Sequence, residues 1–477
     1  TAEPEIAGAA KQALPVDHDH PPLVLGLGVR RLGDLDALEE ARIVRILTVY
    51  GPGRYYLDGA DEAGYVASLA RAFEGFLNER LERAHLRVHV VVVPVARDRL
   101  LPALLEGRGD LVAADLTVTS ERLQDVDFSR PLTRPFQEVV VMGPSAPPLE
   151  RLEDLAGQSM FVRHSSSYRE SLQSLNRRFA EQGLEPVTIE AMPELLEDED
   201  LVEMVNGGLL PWTVVDDFRA QHLAGVFGDI SVREDLALRR GGRIAWALRK
   251  GSPRLLAAVN DFLDDYRQGT LLGNILINRY FRHSDWAADA LSDEGYRRFQ
   301  ELVDIFRTYG EQYGIDHLLA TAQGYQESRL DQAARSSTGA IGVMQLLPST
   351  ARDPNVAIDD IHRVDSNIHA GVKYLRYLRD RYFDDPAIPT LDQTLMALAA
   401  YNAGPTRVQG LRARAAGAGY DPNRWFDNVE VIAARDIGRE TVQYVANIYK
   451  YYVTYLRVTE QRDLRREARE AAGVGPP

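Results

Sequence analysis

The chain contains no cysteine, which excludes disulfides, thiolate metal sites and a cysteine nucleophile. It also lacks any segment approaching the roughly 20 uninterrupted apolar residues of a membrane-spanning helix. Positive charge is in deficit. Lys and Arg number 55 against 70 Asp and Glu, a formal charge of −15. A phosphate-backbone partner needs a basic stripe, so no nucleic-acid binding is expected. What is present is a globular composition, 45% apolar and 26% charged, which rules out wholesale disorder and a collagen-like fibre. The length of 477 residues makes about two to four packed domains.

Residues 1–36 are proline-interrupted and aperiodic and read as an extended leader. Within them Asp17-His18-Asp19-His20 reads as a solvated tail, so no metal or cofactor is expected. From Ile43 to Tyr50 a β-branched apolar run ends at Gly51-Pro52-Gly53, a buried strand with a sharp stop. Further strands are expected near 86–93, 110–114, 160–163, 187–191, 213–215 and 243–248. Helical periodicity fills the gaps between them at 65–77, 98–105, 168–181, 201–205 and 253–266. Alternation of this kind predicts parallel sheets in α/β layers.

Two such units, with a late strand and helix returning to the first, suggest a two-lobed clamp over 37–283. Lobe 1 is expected at 37–142 and 242–283 and lobe 2 at 143–241, with crossings near 141–144 and 241–243. A ligand of such a clamp lies between the lobes. After about residue 284 strand patterns stop. Ser292 reads as an N-cap, and helices are expected at 299–306, 316–328, 368–382, 391–402 and 440–456. This makes a separate all-α domain over 290–456. The charged tail 457–477 is expected to fray.

On the helix ending at Ser328, Ala320, Gly324 and Glu327 share a face, so two small residues are expected to leave open space beside one carboxylate. The negative end of the helix dipole raises the pKa of such a group. Both effects suit a general acid. An exposed glutamate on a solvated helix end fits the same spacing. Asp331, Asp353 and Asp359 are candidate second carboxylates but read as turn and capping residues.

Four segments then decide the matter: Glu327-Ser328 followed by Ser336, Gly339-Ala340-Ile341-Gly342-Val343-Met344-Gln345, Ala399-Ala400-Tyr401-Asn402-Ala403-Gly404, and Gln443-Tyr444-Val445-Ala446-Asn447-Ile448. In order and spacing they resemble the soluble lytic transglycosylase domain, with Val343 standing where leucine is usual. The resemblance implies a goose-lysozyme-like fold and action on peptidoglycan glycan strands. It implies Glu327 as the sole catalytic acid/base, with Ser328, Ser336, Met344, Gln345, Tyr401, Asn402 and Tyr444 around the substrate. The product implied is a 1,6-anhydromuramoyl end rather than a hydrolysed one. A glycan-docking sensor and a hydrolytic muramidase are the alternatives.

In the clamp, Gly109-Asp110-Leu111, Asp115–Arg122 and Asp127–Pro131 are similar to the signature of family 3 solute-binding proteins. That likeness implies that Thr117 and Arg122 grip a ligand carboxylate, for which a guanidinium fork is well shaped. It implies Asp216 as the partner of an amino group, and Ser166 and Ser167 as further donors. The order clamp then transglycosylase, with Arg163–Tyr168 and Glu203–Pro211, resembles the F family of membrane-bound lytic murein transglycosylases. The implied setting is the periplasm of a Gram-negative bacterium, peripheral to the outer membrane. A cell-wall peptide is the expected effector, because its free carboxylates and amino groups suit Arg122 and Asp216.

Overall fold

The computed structural model describes residues 29–51, 53–277 and 294–474. The Asp17–His20 cluster, most of the expected leader and the Ser292 cap lie outside them.

Lobe 1 is built on a five-stranded sheet ordered β4-β1-β5-β12-β6, from β1 (Ile43–Thr48), β4 (His89–Pro94), β5 (Leu111–Val112), β6 (Val126–Phe128) and β12 (Ala247–Arg249). A small hairpin, β2 (Tyr56–Asp58) with β3 (Asp61–Ala63), projects from it. All six residues of β1 are buried, as a strand covered on both faces requires. Even Arg45 sits inside, its Nε 3.0 Å from Asp110 Oδ2. Lobe 2 holds the sheet β11-β7-β10-β8-β9, from β7 (Phe136–Met142), β8 (Ser159–Arg163), β9 (Thr188–Met192), β10 (Trp212–Asp216) and β11 (Ser231–Gly242).

Two expectations change here. The apolar run Phe136–Met142 pairs with β10 and β11, so it belongs to lobe 2 and the first crossing falls before Phe136 rather than at 141–144. The sheets are also mixed. β12 runs antiparallel to β5 and β6, and β7 antiparallel to its two neighbours.

The helical domain contains Glu294–Tyr313, His317–Ser328, Val364–Tyr382, Thr390–Ala403, Pro405–Gly417 and Arg439–Ala471, besides shorter pieces. Its core is continuous with that of lobe 1: Val44, Phe73 and Val90 belong to one apolar cluster with Phe299, Tyr325 and Tyr455. Polar contacts reinforce the seam. Arg42 Nη2 lies 2.5 Å from Glu430, and Lys450 Nζ lies 2.9 Å from Glu74. Next to that pair, burial pushes the His89 imidazole down to about 4. The hairpin touches the end of helix His317–Ser328, where Tyr325 and Arg329 both donate to Asp61.

As far as Val474 the charged tail does not fray. Helix Arg439–Ala471 runs straight through it and reaches lobe 2. Arg465 Nη2 bonds both oxygens of Asp200, at 3.0 and 2.9 Å. Arg469 donates to Asp200 as well and places Nη2 2.9 Å from Glu203. Val474 then packs among Val139, Val141, Leu201 and Val205. The charges are there to cross an interface, so this final helix works as a strap. Asp200→Asn leaves the buried Arg465 guanidinium facing a neutral group and Arg469 still paired with Glu203, a loss of about 3–5 kcal/mol for a broken buried pair. Denaturant unfolding monitored in lobe 2 should show the loss, and an unchanged midpoint would mean the strap carries no stability.

Candidate functional site

Glu327 sits in the last turn of helix His317–Ser328, which ends because Arg329 and Leu330 both turn left-handed, at φ 58° and 61°. The small residues beside it do not leave open space. A Cβ on Gly324 would come within 2.9 Å of the Phe306 ring and 3.0 Å of Val343, so this glycine lets the core close tightly against the helix. That packing leaves the Glu327 side chain half-buried. Burial raises its pKa to about 7, opposed by a 2.6 Å hydrogen bond donated by Tyr444 Oη to Oε1. Among the described residues no Lys or Arg forms an ion pair with it.

The other expected groups collect around this carboxyl with unequal roles. Tyr401 donates to the Met344 carbonyl at 2.8 Å, and burial, with the Glu327 charge nearby, pushes its phenol well above the usual range. Met344 itself is fully buried and packs on Gly371, so its side chain is core and only its backbone faces the site. Gln345 adopts φ 45° and ties its amide to the Gly342 carbonyl at 2.9 Å, which shapes the loop. Asn402 is exposed and accepts from Thr441 at 2.7 Å. Ser328 donates to the Val343 carbonyl at 2.9 Å, joining helix to loop. Ser336 accepts from Ala340 N at 2.9 Å in an exposed turn. Asp331 and Asp353 accept from turn amides and are exposed, as Asp359 is, so none of them pairs with Glu327.

Two residues absent from the motifs belong to this assembly. Asn367, fully buried, accepts from Met344 N at 2.8 Å and donates to the Ile341 carbonyl at 2.8 Å, fixing the loop. Gln323, also fully buried, donates to Tyr444 Oη at 3.3 Å. Nothing in the sequence separates it from Gln326 on the same helix, and its contact with Tyr444 is what singles it out.

The clamp is shut. Arg122, on lobe 1, donates to the Thr117 carbonyl at 2.8 Å and across the cleft to the Ser165 carbonyl at 2.9 Å. Ser167 reaches Thr117 Oγ1 at 3.2 Å, while Ser166 caps the helix Ser167–Gln182. Asp216 is buried, and its Oδ1 has no hydrogen-bond partner among the described residues. Burial, with Glu138 and Asp198 nearby, pushes its carboxyl well above the usual range. These groups line a cavity of about 20 Å³, which is room for a single water. Ion pairs flank that small cavity, and beyond them a larger one of about 550 Å³ lies between Asp115 and Trp246 of lobe 1 and Phe136 and Asp217 of lobe 2. Glu197 of lobe 2 receives Arg54 at 3.2 Å and Arg97 at 2.5 Å, and Arg219 of lobe 2 meets Asp115 of lobe 1 at 2.6 Å. Although burial alone would raise them, these cations hold Glu197 far below its ordinary value and bring Asp115 to about 2.

The raised pKa of Glu327 has a stability consequence. Unfolded, the carboxyl ionises near 4.5; folded, near 7. Stability is therefore intact below 4.5 and is lost as pH rises through 7. Glu327→Gln cannot ionise, so its melting temperature should match the parent at pH 4.5 and exceed it at pH 8, by about 1–3 kcal/mol in free energy. A difference independent of pH would refute the raised value.

Comparison with known proteins places this geometry. Residues 304–422 match the Transglycosylase SLT domain family, and residues 45–283 match the family 3 bacterial extracellular solute-binding proteins. The chain is 30% identical over 426 residues to the membrane-bound lytic murein transglycosylase F of Desulfosudis oleivorans, covering 85% of this chain and 88% of that protein. The protein of the same name from Pseudomonas fluorescens is 29% identical over 462 residues, covering 92% and 90%. With both domains matched in this order, the chain belongs to the membrane-bound lytic murein transglycosylase F family, and its helical half is that of a non-hydrolytic peptidoglycan lyase.

Proposed function

We propose that Glu327 alone carries both proton transfers of peptidoglycan cleavage. The supporting observation is its half-buried carboxyl near pKa 7, held by Tyr444 and, among the described residues, without a second carboxylate beside it. A group poised there is protonated often enough to act as an acid and ionised often enough to act as a base. It protonates the oxygen of the β-1,4 bond between N-acetylmuramic acid and N-acetylglucosamine as the bond to C1 breaks. The resulting carboxylate takes the proton from the muramoyl C6 hydroxyl, whose oxygen closes on C1. A 1,6-anhydro ring forms and no water is consumed. Tyr401 and Asn402 hold the muramoyl residue, Gln345 and Met344 shape the wall through their loop, and Ser328 and Ser336 keep that loop in place. The working site is the periplasm, with association at the outer membrane; no described helix is long and apolar enough to cross a membrane. Purified sacculi should yield muropeptides lighter by one water than hydrolytic products, and Glu327→Gln should abolish turnover. Reducing ends alone would make the reaction a hydrolysis.

The clamp, in this reading, binds a cell-wall peptide and regulates the lyase. The unpaired Asp216 carboxyl favours an ammonium, and Thr117, Arg122, Ser166 and Ser167 surround the same small cavity. A peptide enters only if the lobes part, which exchanges internal ion pairs for contacts with ligand. Glu197 holds Arg54 and Arg97 in the manner of a ligand carboxylate, so it competes with the peptide. Opening pulls on Asp200, hence on the strap that ends in the helical domain. Arg122→Ala should abolish peptide binding in calorimetry and peptide-stimulated turnover with it. Glu197→Gln, which weakens the closed state, should tighten peptide binding within the roughly 5–150-fold range of allosteric couplings. Saturating peptide that binds without altering the cleavage rate would leave the clamp as a passive tether on the wall.

A further inference from the structure

We infer that Gln323 is a positioning residue for the lyase reaction: by donating to Tyr444 it dictates which oxygen of Glu327 carries the acid proton. The inference rests on Glu327 being the acid. Gln323 lies four residues before Glu327, one turn back on the same helix, so both side chains reach the same neighbour. That neighbour is the Tyr444 hydroxyl, 3.3 Å from Gln323 Nε2 and 2.6 Å from Glu327 Oε1.

A phenolic hydroxyl has one proton to give. With the Gln323 amide supplying a proton to the tyrosine oxygen, the Tyr444 proton is directed at Glu327 Oε1. That oxygen is then occupied as an acceptor whether the carboxyl is charged or neutral. When Glu327 is protonated, its proton lies on Oε2, the oxygen Tyr444 does not cover and the one available to a glycosidic oxygen. Without Gln323, Tyr444 is free to rotate and accept from Glu327, and the acid proton is then spent inside the protein. Tyr401 cannot take over, because its proton is committed to the Met344 carbonyl.

The orientation of the amide follows from the same count. Reversed, its oxygen would claim the Tyr444 proton, and the short contact to Glu327 would have a donor only in the protonated carboxyl, whose proton is then spent on Tyr444. In the orientation that serves Glu327, Gln323 Oε1 is left with no partner among the described residues, inside a fully buried side chain. An unsatisfied buried carbonyl is a standing loss of stability. An apolar residue of the same shape would avoid it, so the amide is retained for its N–H.

The test is a double-mutant cycle on the full chain, with Gln323→Met, which keeps the shape and removes the donor, and Tyr444→Phe. On sacculi, Gln323→Met should lower kcat about tenfold, the scale of one hydrogen bond, with KM unchanged. It should also move the alkaline limb of the pH–rate profile upward, since a weaker Tyr444 donor stabilises the carboxylate less. In the Tyr444→Phe background the same substitution should have no further effect on rate. Its melting temperature should equal or exceed that of the parent, and Gln323→Leu offers a second apolar replacement should the methionine fold poorly. An unmoved pH limb, or an equal loss with and without Tyr444, would show that Gln323 only packs. Failure of the acid assignment is read separately: Glu327→Gln would then retain turnover.

Discussion

The carboxylate of Asp200 is where the molecule is tied together. It accepts from the backbone of Glu197 at 2.8 Å, closing the N-terminus of helix Asp198–Asn206 in lobe 2. It also takes the two arginines of the strap, which begins in the helical domain. One residue back from that helix, Glu197 is gripped by two arginines of lobe 1. Three bodies therefore meet over about one helical turn. Buried ion pairs gain little net energy over apolar packing, but leaving one member behind is costly. Such a junction is suited to changing arrangement as a unit, and poorly suited to yielding by degrees.

Burial acts the same way on four acids of this protein, and the neighbours decide the outcome. Glu197 and Asp115 are enclosed by guanidinium groups and stay charged. Burial pushes Glu327 upward with no guanidinium beside it among the described residues, and pushes Asp216 upward too, where Glu138 and Asp198 add to it against Arg219. The first pair holds a structure shut. In the function proposed above, the second pair is where a substrate or ligand has something to offer, a glycosidic oxygen in one case and an ammonium in the other.

The alternation of strands and helices was enough to read the two lobes, and the spacing of four motifs was enough to single out Glu327, Tyr401 and Tyr444, which the fold brings together. What escaped was non-local. Phe136–Met142 is equally apolar whichever sheet it joins, and only its pairing with β10 and β11 assigns it. Arg465 and Arg469 sit among charges on a helix, where solvent is the ordinary expectation, and their partner lies 265 and 269 residues away. Met344 stood in a substrate motif, yet its side chain serves the core, because Gly371 admits it. Gln323 needed a view of what faces it, which no spacing supplies.

Basic residues in this chain are overwhelmingly arginine; the lysines are Lys11, Lys250, Lys373 and Lys450. Lys450 is enclosed at the seam between lobe 1 and the helical domain, paired with Glu74 and beside a neutral His89. Its amine is held charged by that pair and shielded from reagents in solution. Acylation at this one position is therefore a built-in chemical reporter of the two domains coming apart, one that arginine at the same site would not provide.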